Sequence, residues 1–368
     1  MIKSIKVTAR ILYGIILRSK LVVKYCASKS TYEKVSLKSY NADKCLKSGF
    51  VVFFENIIHI IKYGEINGFY FLYSQDVKGG GIRQDLMPYR QFMKFRNTFN
   101  QTRPYSYVCI LRDKNLFSIV ADGMGYPSAK NIGILNCGLI KMLNKTTTTI
   151  EDLLKTHNSL FFKPLNAECG EEIFSAGLSG GSYHLDGKVV DLVELQKKIE
   201  RVTTDYLVQD MVVQHKEMSR LYPNAINTLR IVTVRNIKTG KVDVLHSLLR
   251  IGAHGNIVDN WAKGGIAIGI KPDGFLCDSG FFKPSYGKQV GVHPDTGVTF
   301  SSFKIPYYEQ AILMCRSFHA DLEHIGSIGW DVAITENGPL FIEGNDNWEI
   351  SLHQSYGGLK SRFEQLQK

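Results

Sequence analysis

The chain has 368 residues, 44% of them apolar and 21% charged, enough to bury one large core or two to three ordinary ones. That excludes a disulfide miniprotein, a disordered tail and a coiled coil. The net charge of +11 sits at one end: residues 1–50 hold 11 basic and 2 acidic residues, whereas the rest carries 34 basic against 32 acidic. With no matching basic surface later in the chain, groove reading of nucleic acid is not expected. The seven cysteines are odd in number and no two have the two-residue spacing of zinc or redox motifs, which points to a reducing compartment. No stretch reaches the roughly 18 uninterrupted apolar residues of a membrane span. Nor does a long apolar core with a small-residue cleavage site follow the first charges. The expected location is cytoplasmic.

Wound at about 100° per residue, residues 3–25 place Lys3, Lys6, Arg10, Lys20 and Lys24 on one arc, opposite Ile5, Val7, Ile11, Leu12, Ile15, Ile16, Val22 and Val23. Such a helix either lies on an anionic membrane or docks its apolar face on its own domain. The first option implies peripheral contact at the inner face of a membrane through residues 1–25. Two more helices are predicted, at about 49–62 behind a Ser48 cap and at about 86–98 after Gly79-Gly80-Gly81, making residues 1–104 a helical, basic region.

Strand and helix then alternate. A short apolar run at 107–111 precedes Asp113, which can cap a helix stopping at Gly123 and Gly125. Thr149 can cap another through about His157, and residues 160–163 read as a strand. Runs rich in β-branched residues at 206–213, 229–234, 242–251 and 266–270 read as strands. A helix at about 307–323 leads into a strand near 329–335, a turn, and a second strand at 340–345. The body is a mixed α+β fold.

The final hairpin carries the chemistry. A three-residue loop usually has Gly third, and Glu336-Asn337-Gly338 supplies that order. Flanking positions then pair so that their numbers sum to 674, setting Asp331 opposite Glu343 on one face, with Asn345 two residues further along it. A loop of Asn337-Gly338 alone would set Asp331 opposite Gly344 and dissolve the cluster. The oxygen-only set Asp331, Glu343 and Asn345 suits magnesium, which takes one or two carboxylates plus nucleotide phosphates.

At these residues the sequence resembles the ATP-grasp superfamily, whose last sheet carries an Asp and then Glu-x-Asn. Other motifs follow in order. Asp113-Lys114 with Gly125-Tyr126-Pro127 looks like the family's route into the nucleotide region, and Phe161-Phe162-Lys163-Pro164 looks like the strand bearing its second ATP lysine. Cys169-Gly170-Glu171-Glu172 stands where its phosphate-covering glycine loop belongs. Residues 206–210 resemble the adenine hinge, with Gln209 where many members have Glu. Asn227-Thr228-Leu229-Arg230, Arg250, Asp259-Asn260, Gly264-Gly265 and His293-Pro294-Asp295-Thr296-Gly297 are similar, more narrowly, to the sugar-transfer-associated ATP-grasp proteins found with bacterial surface-polysaccharide genes.

The resemblance implies two α+β subdomains clasping ATP, here residues 105–205 and 206–368. It implies ATP and Mg2+ as cofactors, with Lys114, Lys163, Gly170, Gln209, Asp210 and Val212 toward the nucleotide. Asp331, Glu343 and Asn345 would hold the metal. Arg230 is the candidate for steadying the transferring phosphoryl group, because its planar fork fits two oxygens and an unpaired charge in an apolar run is costly. Arg250 and Asn260 are further catalytic candidates, there or at the acceptor carboxylate. His215 and His293 read as structural; Asp295 caps a turn or touches substrate. Trp330 and Trp348 read as core or pocket wall, where a sugar ring could also stack.

The implied function is an ATP-dependent carboxylate-amine ligase working through an acyl phosphate. It would join an amino acid or other amine to a carboxyl group of a surface-polysaccharide precursor, such as a sugar acid or lipid-linked saccharide. The alternatives are a kinase on the same fold and a non-catalytic, membrane-associated nucleotide-binding protein.

Overall fold

The computed structural model describes residues 2–27, 41, 44–79, 85–101, 107–165, 172–236, 238–283 and 286–367, with backbone alone for 2–13, 98–101 and 367. They fall into two units. One comprises Met1–Thr102, Phe282–Gln289 and Glu349–Lys368; the other comprises Arg103–Phe281 and Val290–Trp348.

The first unit holds the three predicted helices, α1 (Ile2–Ala27), α2 (Gly49–Tyr63) and α3 (Tyr89–Gln101), and a C-terminal helix, Lys360–Gln367. Ser48 caps α2 by accepting from the Val51 N–H at 3.4 Å, and Gly64 closes it in the left-handed conformation with its N–H on the Ile60 carbonyl at 2.8 Å.

Two antiparallel sheets belong to the second unit, all but Phe282 and Gln289 of their strand residues falling within its bounds. The first has the order β3-β2-β1-β8-β4-β5-β6-β7. Its strands are β1 (Asn131–Asn136), β2 (Leu139–Met142), β3 (Thr147–Thr148), β4 (Ser159–Pro164), β5 (Phe174–Ser179), β6 (Ser182–Leu185), β7 (Lys188–Val190) and β8 (Tyr206–Asp210). Leu160, Phe162, Phe174, Ile132 and Val208 form a core with Leu153 and Leu154 of one helix, Ile150–Thr156, and Leu195 and Ile199 of another, Leu192–Glu200. Because β8 pairs with β1 and β4, this sheet extends through Asp210, beyond the boundary at 205 expected from sequence.

The second sheet has the order β13-β12-β11-β10-β9-β14-β15. Its strands are β9 (Thr228–Arg235), β10 (Val242–Ile251), β11 (Ile266–Gly269), β12 (Gly280–Phe282), β13 (Gln289–Val290), β14 (Ser327–Thr335) and β15 (Gly338–Asn345). The helix Tyr308–Asp321 covers one face, where Phe318 lies 5.3 Å from both Trp330 and Phe341, ring centre to ring centre. Side chains alternate along a strand, so Trp330 on the helix side sends Asp331 to the other face.

The β14–β15 register gives the expected pair by a different route. Thr335 pairs with Gly338, so the loop is the two residues Glu336-Asn337, and pairs sum to 673 as far as Val332 with Phe341. Ile342 is then left unpaired as a bulge, after which Asp331 faces Glu343 and Gly329 faces Asn345. Residues 341 and 343 would share a face on a regular strand. The bulge lets Phe341 pack against Trp330, at 4.9 Å, while Glu343 stands beside Asp331 on the opposite face.

Candidate active site

Four strands of the second sheet line up a row of charge. Arg230 on β9 is the cross-strand partner of Asp331 on β14, which is the partner of Glu343 on β15. Arg250 on β10 lies opposite Thr228, two residues from Arg230 and on the same face. Arg230 donates from Nε and Nη2 to the two Asp331 oxygens at 2.5 and 2.8 Å, and Arg250 Nη1 donates to Asp331 Oδ2 at 3.3 Å. Burial raises the Asp331 carboxyl, but the two guanidiniums outweigh it and hold it below the usual carboxylate range.

A second carboxylate completes the frame. Arg250 Nη2 donates to Asp259 Oδ1 at 2.6 Å, and Asp259 Oδ2 accepts from the Thr228 N–H at 3.1 Å and from the Thr228 hydroxyl. The Arg250 Nε is buried and has no hydrogen-bond partner, a polar atom left over inside the site. Gly265 is needed behind Asp259, since a Cβ there would lie 2.5 Å from the Asp259 carbonyl oxygen.

The Asn-Thr-x-Arg motif thereby divides its labour. Asn227 is fully buried and donates to the Met218 and Tyr222 carbonyls, both at 2.9 Å, and to Gln214 Oε1 at 3.0 Å, locking the start of β9. Thr228 fixes Asp259, and Arg230 fixes Asp331.

From the other sheet, the buried Lys163 of β4 brings an ammonium toward Glu343, Asp331 and Lys114. Burial pushes it down to about 8, with the Lys114 charge adding to the effect and Glu343 and Asp331 opposing it. Lys114 opens a helix, Lys114–Gly123, capped by Asp113, and its Nζ donates to the Pro164 and Leu165 carbonyls at 3.3 and 3.4 Å. Lys114 and Lys163 are therefore neighbours at the end of β4.

Asn345 Nδ2 donates to Glu343 Oε1 at 3.2 Å. No group of three or more His, Cys, Asp or Glu side chains is gathered for a metal among the described residues. The donor set here is instead two carboxylates and a carboxamide, hard oxygens that fit magnesium with phosphates and water filling its shell.

Other expected residues serve the frame. Gln209 Nε2 donates to Asn131 Oδ1 at 2.6 Å and to the Ala129 carbonyl at 3.2 Å, and Asp210 Oδ1 lies 2.6 Å from His157 Nδ1. Val212 is half-buried just beyond β8. The Asn260 side chain accepts from the Ala262 N–H at 2.8 Å, capping a short 3-10 turn, Trp261–Lys263. Gly170 lies outside the described residues.

His215 caps its helix and sits 3.4 Å from Glu336, and the fully buried His293 contacts the Gly252 carbonyl at 2.8 Å. Asp295 accepts from the His254 N–H at 2.6 Å. Both tryptophans are core: Trp330 donates to Thr233 Oγ1 at 2.7 Å and Trp348 to Ser327 Oγ at 3.1 Å.

Sequence reasoning noted Asp259 but gave it no role, and it passed over the pair of Arg112 with Asp346. Arg112 donates to both Asp346 oxygens, at 2.7 to 3.2 Å, and so anchors the chain next to Asn345. An acidic residue directly after the Glu-x-Asn run is the signal that was available.

The family model described as "Sugar-transfer associated ATP-grasp" matches residues 93–368. Similar solved structures include the ADP complex of purK, N5-carboxyaminoimidazole ribonucleotide synthetase, with 10% identity and a TM-score of 0.41 over 77% of this chain and 58% of that one. The N5-carboxyaminoimidazole ribonucleotide synthetase from Thermotoga maritima gives 11% and 0.40 over 75% and 55%. The ATP-grasp ligase PsnB complexed with minimal precursor gives 10% and 0.38 over 73% and 62%. The chain thus spans less than two thirds of the length of these structures. No curated protein sequence matches it. The chain belongs to the sugar-transfer-associated ATP-grasp family.

Proposed function

We propose that the protein is an ATP-dependent carboxylate-amine ligase that forms an acyl phosphate and then an amide. The observation that best supports this reading is the pairing of Arg230 and Arg250 across Asp331, with the Arg250 Nε unpartnered, beside the Lys163 and Lys114 ammonium groups. Four cations face three carboxylates at one site, an arrangement suited to managing the charge of a triphosphate.

In the first step an acceptor carboxylate oxygen attacks the γ-phosphorus, an O–P bond forms, and the bond to ADP breaks. Lys114 and Lys163 neutralise phosphate oxygens left on the nucleotide. Arg230 and Arg250, held in place by Asp331 and Asp259, present planar N–H groups to the transferring phosphoryl group. A magnesium ion held by Glu343, Asn345 and Asp331 would add positive charge at the β and γ phosphates. In the second step an amine attacks the acyl carbon, a C–N bond forms, phosphate leaves, and the surplus amine proton goes to solvent. The acceptor assigned here is a carboxyl group of a surface-saccharide precursor, in keeping with a family described as associated with sugar transfer, and the amine is an amino acid or similar small molecule.

The test is a screen of amino acids against uronic acids, with ADP release and product mass as readouts. The reading expects ADP, phosphate and a condensation product that has lost water, and no release from Asp331→Asn or Glu343→Gln. A phosphomonoester product would make the protein a kinase instead, and unchanged turnover in both variants would remove the site assignment.

A further inference from the structure

Helices α1 and α2 carry an apolar surface that the active site does not use. On α2, Phe50, Phe54, Ile58 and Ile61 recur at helical spacing as one stripe and are 72%, 45%, 59% and 57% exposed. Val51 and Phe53 are exposed beside them, and α1 adds Ile15, Ile16 and Val23. Exposed apolar side chains gathered in this way mark an interaction surface.

The two helices are fastened together. Arg18 of α1 donates from Nε to the Ile61 carbonyl at 2.7 Å and from Nη1 to the Gly14 carbonyl at 3.1 Å, and the Tyr25 and Phe53 rings lie 5.9 Å apart. Residue 18 against 61 and 25 against 53 make the pair antiparallel.

Charge selects the occupant. No Asp or Glu occurs in α1, and the single acidic residue of α2, Glu55, is turned away from the stripe to Lys47 and the Tyr70 hydroxyl. Lys20, Lys24 and Lys62 are exposed on the same pair, and the α1 sequence adds Lys3, Lys6 and Arg10. A second copy of this face would set cations against cations. An anionic phospholipid surface satisfies both features, taking the apolar side chains among its acyl chains and the ammonium groups at its phosphates. No helix among the described residues is long and apolar enough to cross a membrane, so the pair would lie along the surface.

We propose that α1 and α2 form a two-helix platform that seats the protein on an anionic bilayer, with α2 supplying the inserted face and both helices the cations. This holds whatever reaction the active site performs. The experiment is co-sedimentation of the full chain with vesicles of phosphatidylcholine, alone or with about 30% phosphatidylglycerol, at low and high salt. Binding to the anionic vesicles is expected, several-fold weaker at high salt. The double variant Phe54→Asp with Ile58→Asp should bind at least about tenfold more weakly. Lys20→Glu with Lys24→Glu should erase the preference for anionic vesicles, and both variants should keep the wild-type circular dichroism. Wild-type protein that stays in the supernatant with both vesicle types would overturn the proposal, as would a Phe54→Asp, Ile58→Asp protein that sediments like wild type. A light-scattering dimer that the same substitutions dissociate, without vesicle binding, would also overturn it by making this face an interface between copies.

Discussion

Arg230 and Asp331 are cross-strand partners joined at both carboxylate oxygens, and the Asp331 side chain is only 4% exposed. A buried pair of this kind is costly to break from one side and much less costly to replace as a whole. Arg230→Met should therefore destabilise the protein by about 3–5 kcal/mol, and the double variant Arg230→Met, Asp331→Leu by clearly less. Urea unfolding of wild type and both variants checks this. A double variant no more stable than the single one would show that Asp331 does not depend on Arg230.

Lys163 makes an opposite trade. Its ammonium is buried and pushed down to about 8, so the folded protein carries it at a cost unless an anion arrives. Lys163→Met should stabilise the nucleotide-free protein by about 1–3 kcal/mol and so raise its melting temperature. The same change should weaken MgATP binding about tenfold or more, because a charge-assisted hydrogen bond is lost. Scanning calorimetry and titration calorimetry read the two effects separately, and a variant that loses both stability and affinity would make Lys163 structural.

Gln209 is held as a hydrogen-bond donor. Its Nε2 donates to two acceptors, the Asn131 side-chain oxygen and the Ala129 carbonyl, and an ionised carboxylate could donate to neither. Gln209→Glu should cost about 2–4 kcal/mol at pH 8 and less at pH 5, where a protonated carboxyl can donate again. Melting curves at both pH values test the prediction; an equal loss at each would leave the network unimportant.

His319 sets part of the acid limit. It is fully buried, with Nδ1 2.6 Å from Thr233 Oγ1 and Nε2 2.9 Å from the Ile325 carbonyl, and burial pushes it down to about 3. The folded value lies below the unfolded value of about 6.5, so the unfolded chain takes up the proton first. Its contribution is complete above pH 6.5 and is lost as pH falls toward 3, at up to about 1.4 kcal/mol per pH unit. His319→Asn should lower stability at pH 7 but flatten the slope of unfolding free energy between pH 6 and 4 by about one proton. An unchanged slope contradicts the assignment.

Local chemistry was the most readable part of the fold. Ser48, Asp113 and Thr149 cap their helices as expected, because a cap needs only its own side chain and the next few N–H groups. The strands β1, β5 and β6 escape a search for apolar runs, since Asn131, Gly133, Ser175, Gly177 and His184 interrupt their pattern, and β2 and β7 are only four and three residues long. Asp331 and Glu343 were legible as partners, though through a three-residue loop that is in fact a two-residue loop plus a bulge. The partnership of Arg250 with Asp259 spans a loop, and nothing in residue spacing reports which way that loop turns back. Gln209 shows the remaining gap: a motif position fixes where a side chain starts, while its neighbours decide where it points.

The unpaired Ile342 gears the hairpin tip separately from the charged row. With Ile342 paired in a regular ladder, the same two-residue tip would set Asp331 opposite Ile342 and swing Glu343 toward the aromatic layer, so tip length and the placing of the charged side chains would be one variable. With Ile342 unpaired, a third residue at the tip and the disappearance of the bulge are equivalent changes, and the chain can exchange one for the other while the oxygens keep their side of the sheet. The charged face is thereby insulated from drift in the surface turn a few residues away.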